Sequence, residues 1–251
     1  MAVIWQKKIA GTHYEVRSAG QTRRLYTNGV CHSEFNPQKL VTGSIWDLLV
    51  LPALFYEPGH IKKVLMLGVG GGASILQMHH LLETVKIIGV ELNSVHLDIA
   101  RRFFNIDTTA VELHNCDAGD WLRQYNGEHF DLIVDDLFVA EAAVPERAIE
   151  ADSQWFKLLL KNLSVHGLLV SNFGSSKEYR HSAYCRNLSI RERFAGTFQL
   201  TTPLLENVVG VFVRKEVASN TLRKNICSHP ILGPALQSKQ LRYRIKRIFT
   251  D

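Results

Sequence analysis

Gly68-Val69-Gly70-Gly71-Gly72-Ala73 follows the apolar run Val64-Leu65-Met66-Leu67. Gly68, Gly70 and Ala73 satisfy a GxGxxA fingerprint, and Glu91 stands about twenty residues further on, where a carboxylate can accept hydrogen bonds from ribose hydroxyls. Glycine lets the backbone turn tightly and approach a ligand closely. With a strand before the run, a helix after it and Glu91 in place, Gly68, Gly70, Gly71 and Gly72 point to an adenosine-containing ligand rather than to a mere tight turn. Asp117-Ala118 follows a later strand. A carboxylate there can accept from an adenine amino group, or cap a helix. NAD and an adenosylmethionine-type sulfonium both fit the glycine run; Asp117 and a C-terminal hairpin favour the sulfonium by analogy of fold.

Asp135-Asp136 closes another apolar run. Displacement at a carbon bonded to positive sulfur needs an aligned nucleophile, exclusion of water and, for an amine, removal of a proton. Free alkyl amines, with a pKa of about 10, are mostly protonated at neutral pH. Asp135 is the expected base. Asp136 is expected to assist it, or to raise its pKa by like-charge repulsion. Other candidates carry less. His79-His80 are adjacent on a helix and point in different directions, so no shared metal is expected. Trp46, Trp121 and Trp155 read as packing residues. Tyr125, Tyr179 and Tyr184 could line an acceptor pocket. Glu141, Glu146 and Glu150 could form a lid or a solvated loop.

The elements that must hold these residues follow from hydrophobic periodicity. His13 to Arg17 and Arg23 to Thr27 predict short strands, with turn chemistry at 18–21 and 27–29. The pattern from Pro37 to about Tyr56 predicts a helix that Pro52 kinks or ends. Beyond Lys63, strands at 64–67, 86–91, 111–114, 130–135 and 168–172 alternate with helices at 73–82, 94–104, 120–124 and 152–163, Ser94 being the expected cap of the second. Strands near Phe198 and at 208–214 form a terminal hairpin. Alternation of this kind predicts an α/β fold: a doubly wound, mostly parallel Rossmann-like sheet with a small N-terminal antiparallel β segment. Residues 1–58 are expected to form the N-terminal hairpin and helix region, and 59–251 the nucleotide-binding catalytic domain.

Composition limits the class. Of 251 residues, 46% are hydrophobic and 21% charged, the balance of a globular chain. No apolar run reaches the roughly 18 residues of a membrane span, and the N-terminus lacks a secretory h-region. The four cysteines are scattered with no CxxC pair, so neither a disulfide scaffold nor a zinc site is expected, and a cytoplasmic setting fits. The net charge is +5. Its clearest basic stretch, 242–247, reads as a solvated helix face, with contact to nucleic acid or an acidic membrane surface left open.

From about residue 13 to residue 172 the sequence resembles the polyamine aminopropyltransferases (spermidine and spermine synthases). Leu25-Tyr26-Thr27-Asn28-Gly29-Val30 is similar to that family's N-terminal hairpin, and Leu51-Pro52 to the Leu-Pro before its first nucleotide-binding strand. The runs at 63–68, 90–92, 117–118 and 131–135 follow in the family's order. Much of this pattern is shared with class I methyltransferases, but Met66 stands where most of those carry an acid. The resemblance implies an in-line transferase using S-adenosylmethionine or its decarboxylated form, a small amine acceptor and a homodimer to which the N-terminal sheet contributes.

Three departures alter the expectation. Synthases place an Asp at the position of Gly71, where it pairs with the amine of the decarboxylated donor. Their Tyr-His or Tyr-Gln pair with a Glu falls here on Ser44, Ile45 and Trp46, with Asp47 one residue off. Their gate-loop Asp residues fall on Asp135 and Phe138. The departures tilt the reading to methyl transfer onto an amine or another acceptor, protein and RNA included. A true aminopropyltransferase is the first alternative. A nonenzymatic nucleotide-binding protein and an NAD-dependent oxidoreductase are the others.

Overall fold

The computed structural model describes residues 1–82, 85–106, 109–139, 146–203 and 205–248. Four antiparallel strands open the chain: β1 (Ala2–Ile9), β2 (Thr12–Ala19), β3 (Thr22–Thr27) and β4 (Val30–Phe35), paired in sequence order. Asn28 and Gly29 join β3 to β4, both at positive φ (49° and 83°), the two-residue hairpin turn that this dipeptide favours. The sequence reading caught β2 and β3 but not β1 and β4. Both are outer strands, and β1 is almost wholly exposed, so it shows no buried alternation.

The helix expected from Pro37 to Tyr56 is much shorter. It is α1 (Ile45–Val50), which tightens into a 3₁₀ turn over Leu51–Phe55. Gly43, at φ +76°, closes the irregular segment before it. Pro52 falls in the first turn of the 3₁₀ segment, where its missing N–H is no loss.

The alternating part comes out close to expectation. In chain order it runs β5 (Lys63–Leu67), α2 (Ala73–Leu81), β6 (Lys86–Glu91), α3 (Ser94–Phe104), β7 (Val111–Asn115), α4 (Ala118–Gln124) and β8 (Phe130–Asp135). A short ribbon of β9 (Phe138–Val139) and β10 (Glu146–Arg147) precedes α5 (Ser153–Asn162) and β11 (Leu163–Phe173). Three short helices follow: α6 (Ser176–His181), α7 (Ala183–Arg186) and α8 (Leu188–Arg191). Then come β12 (Gly196–Thr201), β13 (Val208–Val213), α9 (Ser219–Ser228), α10 (Leu232–Gln237) and β14 (Arg244–Ile248). Asn93 rather than Ser94 caps α3: its side chain accepts from the amides of Val95 and His96. The basic stretch forms an edge strand, β14 on β12, not a helix face. Its lysine and arginines suit an edge that must not recruit another strand.

The eight-stranded sheet has the order β14-β12-β13-β11-β8-β5-β6-β7. Strands β7, β6, β5, β8 and β11 are parallel, and the last three pairings are antiparallel. Apolar side chains cover both faces. Val64, Met66, Leu132 and Val134 join the layer holding α2, α3 and α9, while Leu65, Leu67 and Ile133 join the one holding α4 and α5. Because β6 and β8 flank β5 on opposite sides, the chain reverses its winding at the carboxyl end of β5, where such sheets open a crevice. Among the described residues no helix is long and apolar enough to cross a membrane.

Candidate active site

A cavity of about 1000 Å³ opens at that carboxyl edge. The glycine turn after β5 forms its floor. Gly68 has φ +84°, and a Cβ there would lie 2.2 Å from the Asp136 carbonyl oxygen, so the loop after β8 can cross directly over this residue only because it is glycine. Gly70 and Gly72 also take positive φ. Gly71 does not: its N–H donates to Ser33 Oγ at 2.7 Å, tying the turn to β4.

Glu91, at the end of β6, is buried and lines the same cavity. Its Oε2 accepts from the amides of Val69 and Gly70, both at 2.9 Å, and its Oε1 from that of Asn93 at 2.9 Å. Burial opposes its charge, but His96 and these backbone donors outweigh it and hold the carboxyl down to about 2. The carboxylate is therefore anionic and fixed at the second strand end. Beyond β7, Asp117 lines the cavity and also caps α4, its Oδ1 accepting from the Asp120 amide at 2.9 Å. The helix-cap reading of Asp117 is thus met, and the residue also borders the cavity. Ala118 is buried beside it in the cavity wall.

Two histidines that the sequence did not single out join this end. His96, on α3, meets Thr27 Oγ1 at 2.8 Å through Nε2, and its ring lies 4.9 Å from that of His32. Burial first, and His96 second, lower His32 to about 4, so it is neutral. Among the described residues its Nε2 has no partner, nor has Ser74 Oγ, and both residues line the cavity. Orphaned polar atoms of this kind are those a polar ligand would satisfy. A buried histidine within an ordinary amphipathic helix pattern carries no signal that would have revealed it.

Asp135 and Asp136 part company. The Asp135 side chain has no exposure. It accepts from Arg147 Nη2 at 2.9 and 3.2 Å and from Trp155 Nε1 at 3.2 Å, and it does not line the cavity. The reason is strand alternation: Asp135 continues the face of Ile133, toward α5. Of the two, it is Asp136 that lines the cavity. Its Oδ1 accepts from Asn172 Nδ2 at 2.7 Å. Burial pushes its pKa up to about 6, with repulsion from Asp135 adding to this and the Asn172 bond opposing it. Asp135, the expected base, is therefore locked in an ion pair away from the cavity, and Asp136 is the one of the two that lines it. Asn172, at the end of β11, was findable as another strand-end polar residue.

Other candidates fall elsewhere. Asp47 is buried and accepts from Thr42, Gly43 and Gln77, away from the cavity, so it does not replace the acceptor acid. Tyr179 and Tyr184 pack in the core layer of α5 with Tyr125 at its margin, and none of the three lines the cavity. Trp46 does line it; Trp121 stacks on Tyr125. Glu146 and Glu150 are exposed, and Glu141 lies outside the described residues. Among the described residues no group of three or more metal-ligating side chains could hold an ion.

Fold and crevice place the chain among the doubly wound α/β proteins that take ligands at the carboxyl edge of the sheet. The family model of the spermine/spermidine synthase domain matches residues 47–224. That is well over half of the chain, and the protein belongs to this family. A relative named polyamine aminopropyltransferase 2, from Caldanaerobacter subterraneus subsp. tengcongensis, is 30% identical over 94 residues, covering 36% of this chain and 31% of its own. The chain spans less than half the length of the curated relatives it matches. A probable spermidine synthase from Corynebacterium glutamicum superposes with a TM-score of 0.74 over 98% of this chain and 91% of its own, at 14% identity. A spermidine synthase in complex with the transition-state analogue AdoDATO superposes with a TM-score of 0.66 over 91% of this chain and 78% of its own, at 12% identity.

Proposed function

We propose that this chain transfers the aminopropyl group of decarboxylated S-adenosylmethionine to a small amine. The observation that carries the reading is Asp136, a cavity carboxylate with its pKa raised to about 6, in a chain of this family. In this reading Glu91 receives the ribose hydroxyls, Asp117 and Ala118 the adenine, and the turn over Gly68–Gly72 the backbone-close part of the nucleoside. Asp136 takes a proton from the ammonium of the acceptor. The freed nitrogen lone pair attacks the aminopropyl carbon next to sulfur, the carbon–sulfur bond breaks, and methylthioadenosine leaves as a neutral thioether. Asp136 then returns its proton to solvent. A base poised near neutrality is what such a transfer requires.

Family membership weighs for aminopropyl over methyl transfer. One observation supports the second reading. No carboxylate stands at Gly71, and Phe104 and Ser33 occupy the space where its side chain would start, so the end of the ligand carrying the amine meets no acid there. The test is a paired assay with donor labelled in the aminopropyl group and intact donor labelled in the methyl group, against a panel of amines. Aminopropylated product that vanishes with Asp136→Asn supports the first reading. Methylated product alone would replace it with the second.

A further inference from the structure

A chain of two side-chain amides ends on Asp136, and from it we propose that Asn172 is a positioning residue for Asp136, fixing the plane of that carboxylate and holding it in its charged, proton-accepting form. The proposal rests on the reading of Asp136 as the base. Strand pairing brings the two residues together. Ser171 lies opposite Asp135 in the parallel pairing of β11 with β8, so Asn172 and Asp136 follow side by side. Val170 and Val134, two residues earlier on each strand, belong to one layer of the core, and alternation turns Asn172 and Asp136 to that same side. Asp136, Asn172 and Asn207 all line the cavity.

The direction of the chain follows from its end. An ionised carboxylate only accepts, so the Asn172 group 2.7 Å from Asp136 Oδ1 is the NH₂. Asn172 Oδ1 must then face the other way, where it accepts from Asn207 Nδ2 at 3.1 Å. Asn207 thereby keeps the donor end of Asn172 on the carboxylate. The main chain of Asn172 is anchored as well, its carbonyl accepting from Arg147 Nη1 at 2.6 Å.

The charged groups that act on Asp136 are Asp135, Arg147 and Glu91, from β8, β10 and β6. Burial is the strongest influence against the Asp136 charge, and Asp135 and Glu91 add to it. The bond from Asn172 is the strongest influence in its favour, ahead of Arg147, whose guanidinium is paired with Asp135 at 2.9 Å. Hydrogen bonds to charged groups are the strong ones, so the state of Asp136 turns on this one donor.

The experiment removes the donor and keeps the frame. Asn172→Leu deletes the amide but retains the carbonyl that Arg147 holds. Asn207→Leu leaves Asn172 in place but frees its amide to turn. For each variant kcat/KM is measured across the pH range with decarboxylated S-adenosylmethionine and 1,4-diaminobutane. The Asp136 carboxyl is also titrated directly, by carbon NMR of protein labelled at its aspartate carboxyls, its signal being the one lost in Asp136→Asn. Asn172→Leu should raise the midpoint of the acidic limb by about one pH unit or more, which at pH 6 is a loss of about fivefold or more that fades by pH 9. Asn207→Leu should move the midpoint in the same direction by less, and the NMR titration should move with it in both. Activity lowered equally at every pH, with both midpoints unmoved, would overturn the proposal and leave Asn172 a merely structural residue. If Asn172→Leu does not fold, Asn207→Leu carries the same test. Transfer that survives in Asp136→Asn, or is absent throughout, would sink the base reading instead. In that event an upward NMR shift still upholds the hold of Asn172 on the Asp136 charge, and an unmoved signal overturns it.

Discussion

Asp135 and Asp136 are neighbours in the chain, yet their carboxylates serve opposite faces of the sheet. That of Asp135 sits against Arg147 Nη2 at 2.9 Å and Trp155 Nε1 at 3.2 Å, while that of Asp136 meets Asn172 Nδ2 at 2.7 Å in the cavity. A single residue separates an anion locked in an ion pair from one that lines the cavity. The buried charge of Asp135 also helps to raise Asp136.

Asp136→Asn should abolish transfer and stabilise the fold. The amide keeps an acceptor for Asn172 but cannot take a proton, so kcat should fall by about a hundredfold or more. The folded pKa, about 6, lies above the ordinary 3.8. The folded state therefore holds this proton more tightly than the unfolded one, and the charged form is a liability above pH 6 that disappears below pH 4. Melting curves should show the variant more stable by about 2 kcal/mol at pH 8, with the difference fading by pH 4. The kcat/KM of the unmodified chain should rise through a pKa of about 6. A flat profile across pH 5–7 would remove Asp136 as the base.

Glu91→Gln tests the opposite sign. The Glu91 carboxyl is held at about 2 against an ordinary 4.5, so its stabilisation is present above pH 4.5 and is lost as the pH falls toward 2. Its three backbone donors would face an amide whose NH₂ cannot accept. The variant should lose about 1–3 kcal/mol at pH 7. The gap to the unmodified chain should close on acidification, and binding of the nucleoside methylthioadenosine should weaken about tenfold or more. Unchanged nucleoside affinity would show that Glu91 serves only the turn.

Arg147→Met should be among the most damaging single changes near the site. It leaves Asp135 buried without its cation, and breaking a buried pair in this way costs about 3–5 kcal/mol. For a chain of this size the melting temperature should drop by roughly 6–20 °C. Adding Asp135→Asn removes the stranded charge, so the double variant should melt above Arg147→Met alone. If it melts lower still, the two residues are not coupled as the 2.9 Å contact implies.

The parallel core was legible because its strands are buried on both faces and read as unbroken apolar runs: β6, α3 and β8 fall on their expected residues. The placement of Glu91 and Asp117 at the cavity was legible for a related reason, since crevices open at strand ends. Two kinds of feature were not legible. The outer strand β1 has almost no buried face to betray it. The function of a strand's last residue turns on which way it points, and the motif alone does not say whether Asp135 or Asp136 does. Arg147 was invisible for want of any local pattern: its partners Asp135, Asn172 and Glu178 come from separate elements.

Gly71→Asp asks whether the donor site can regain the acid that the family places there. The backbone at Gly71 is not at positive φ, so an L residue is tolerated in principle. Space forbids it: a Cβ would stand 2.8 Å from Phe104 Cε2 and 2.9 Å from Ser33 Cβ. Contacts that short force a neighbour to move, and overpacking of this sort costs about 1–3 kcal/mol. Gly71→Asp alone should therefore melt lower and bind either donor poorly. Combined with Phe104→Leu, which clears the ring, it should recover part of the lost stability, the Ser33 contact remaining. It should also shift preference toward decarboxylated over intact S-adenosylmethionine by about tenfold, because the new carboxylate pairs with the amine of both but repels the carboxylate of the intact form. Competitive calorimetry with the two donors reads that ratio. If the double variant is stable and the ratio does not move, the amine end of the donor lies elsewhere, and the loss of the acid at position 71 has no bearing on which donor this chain selects.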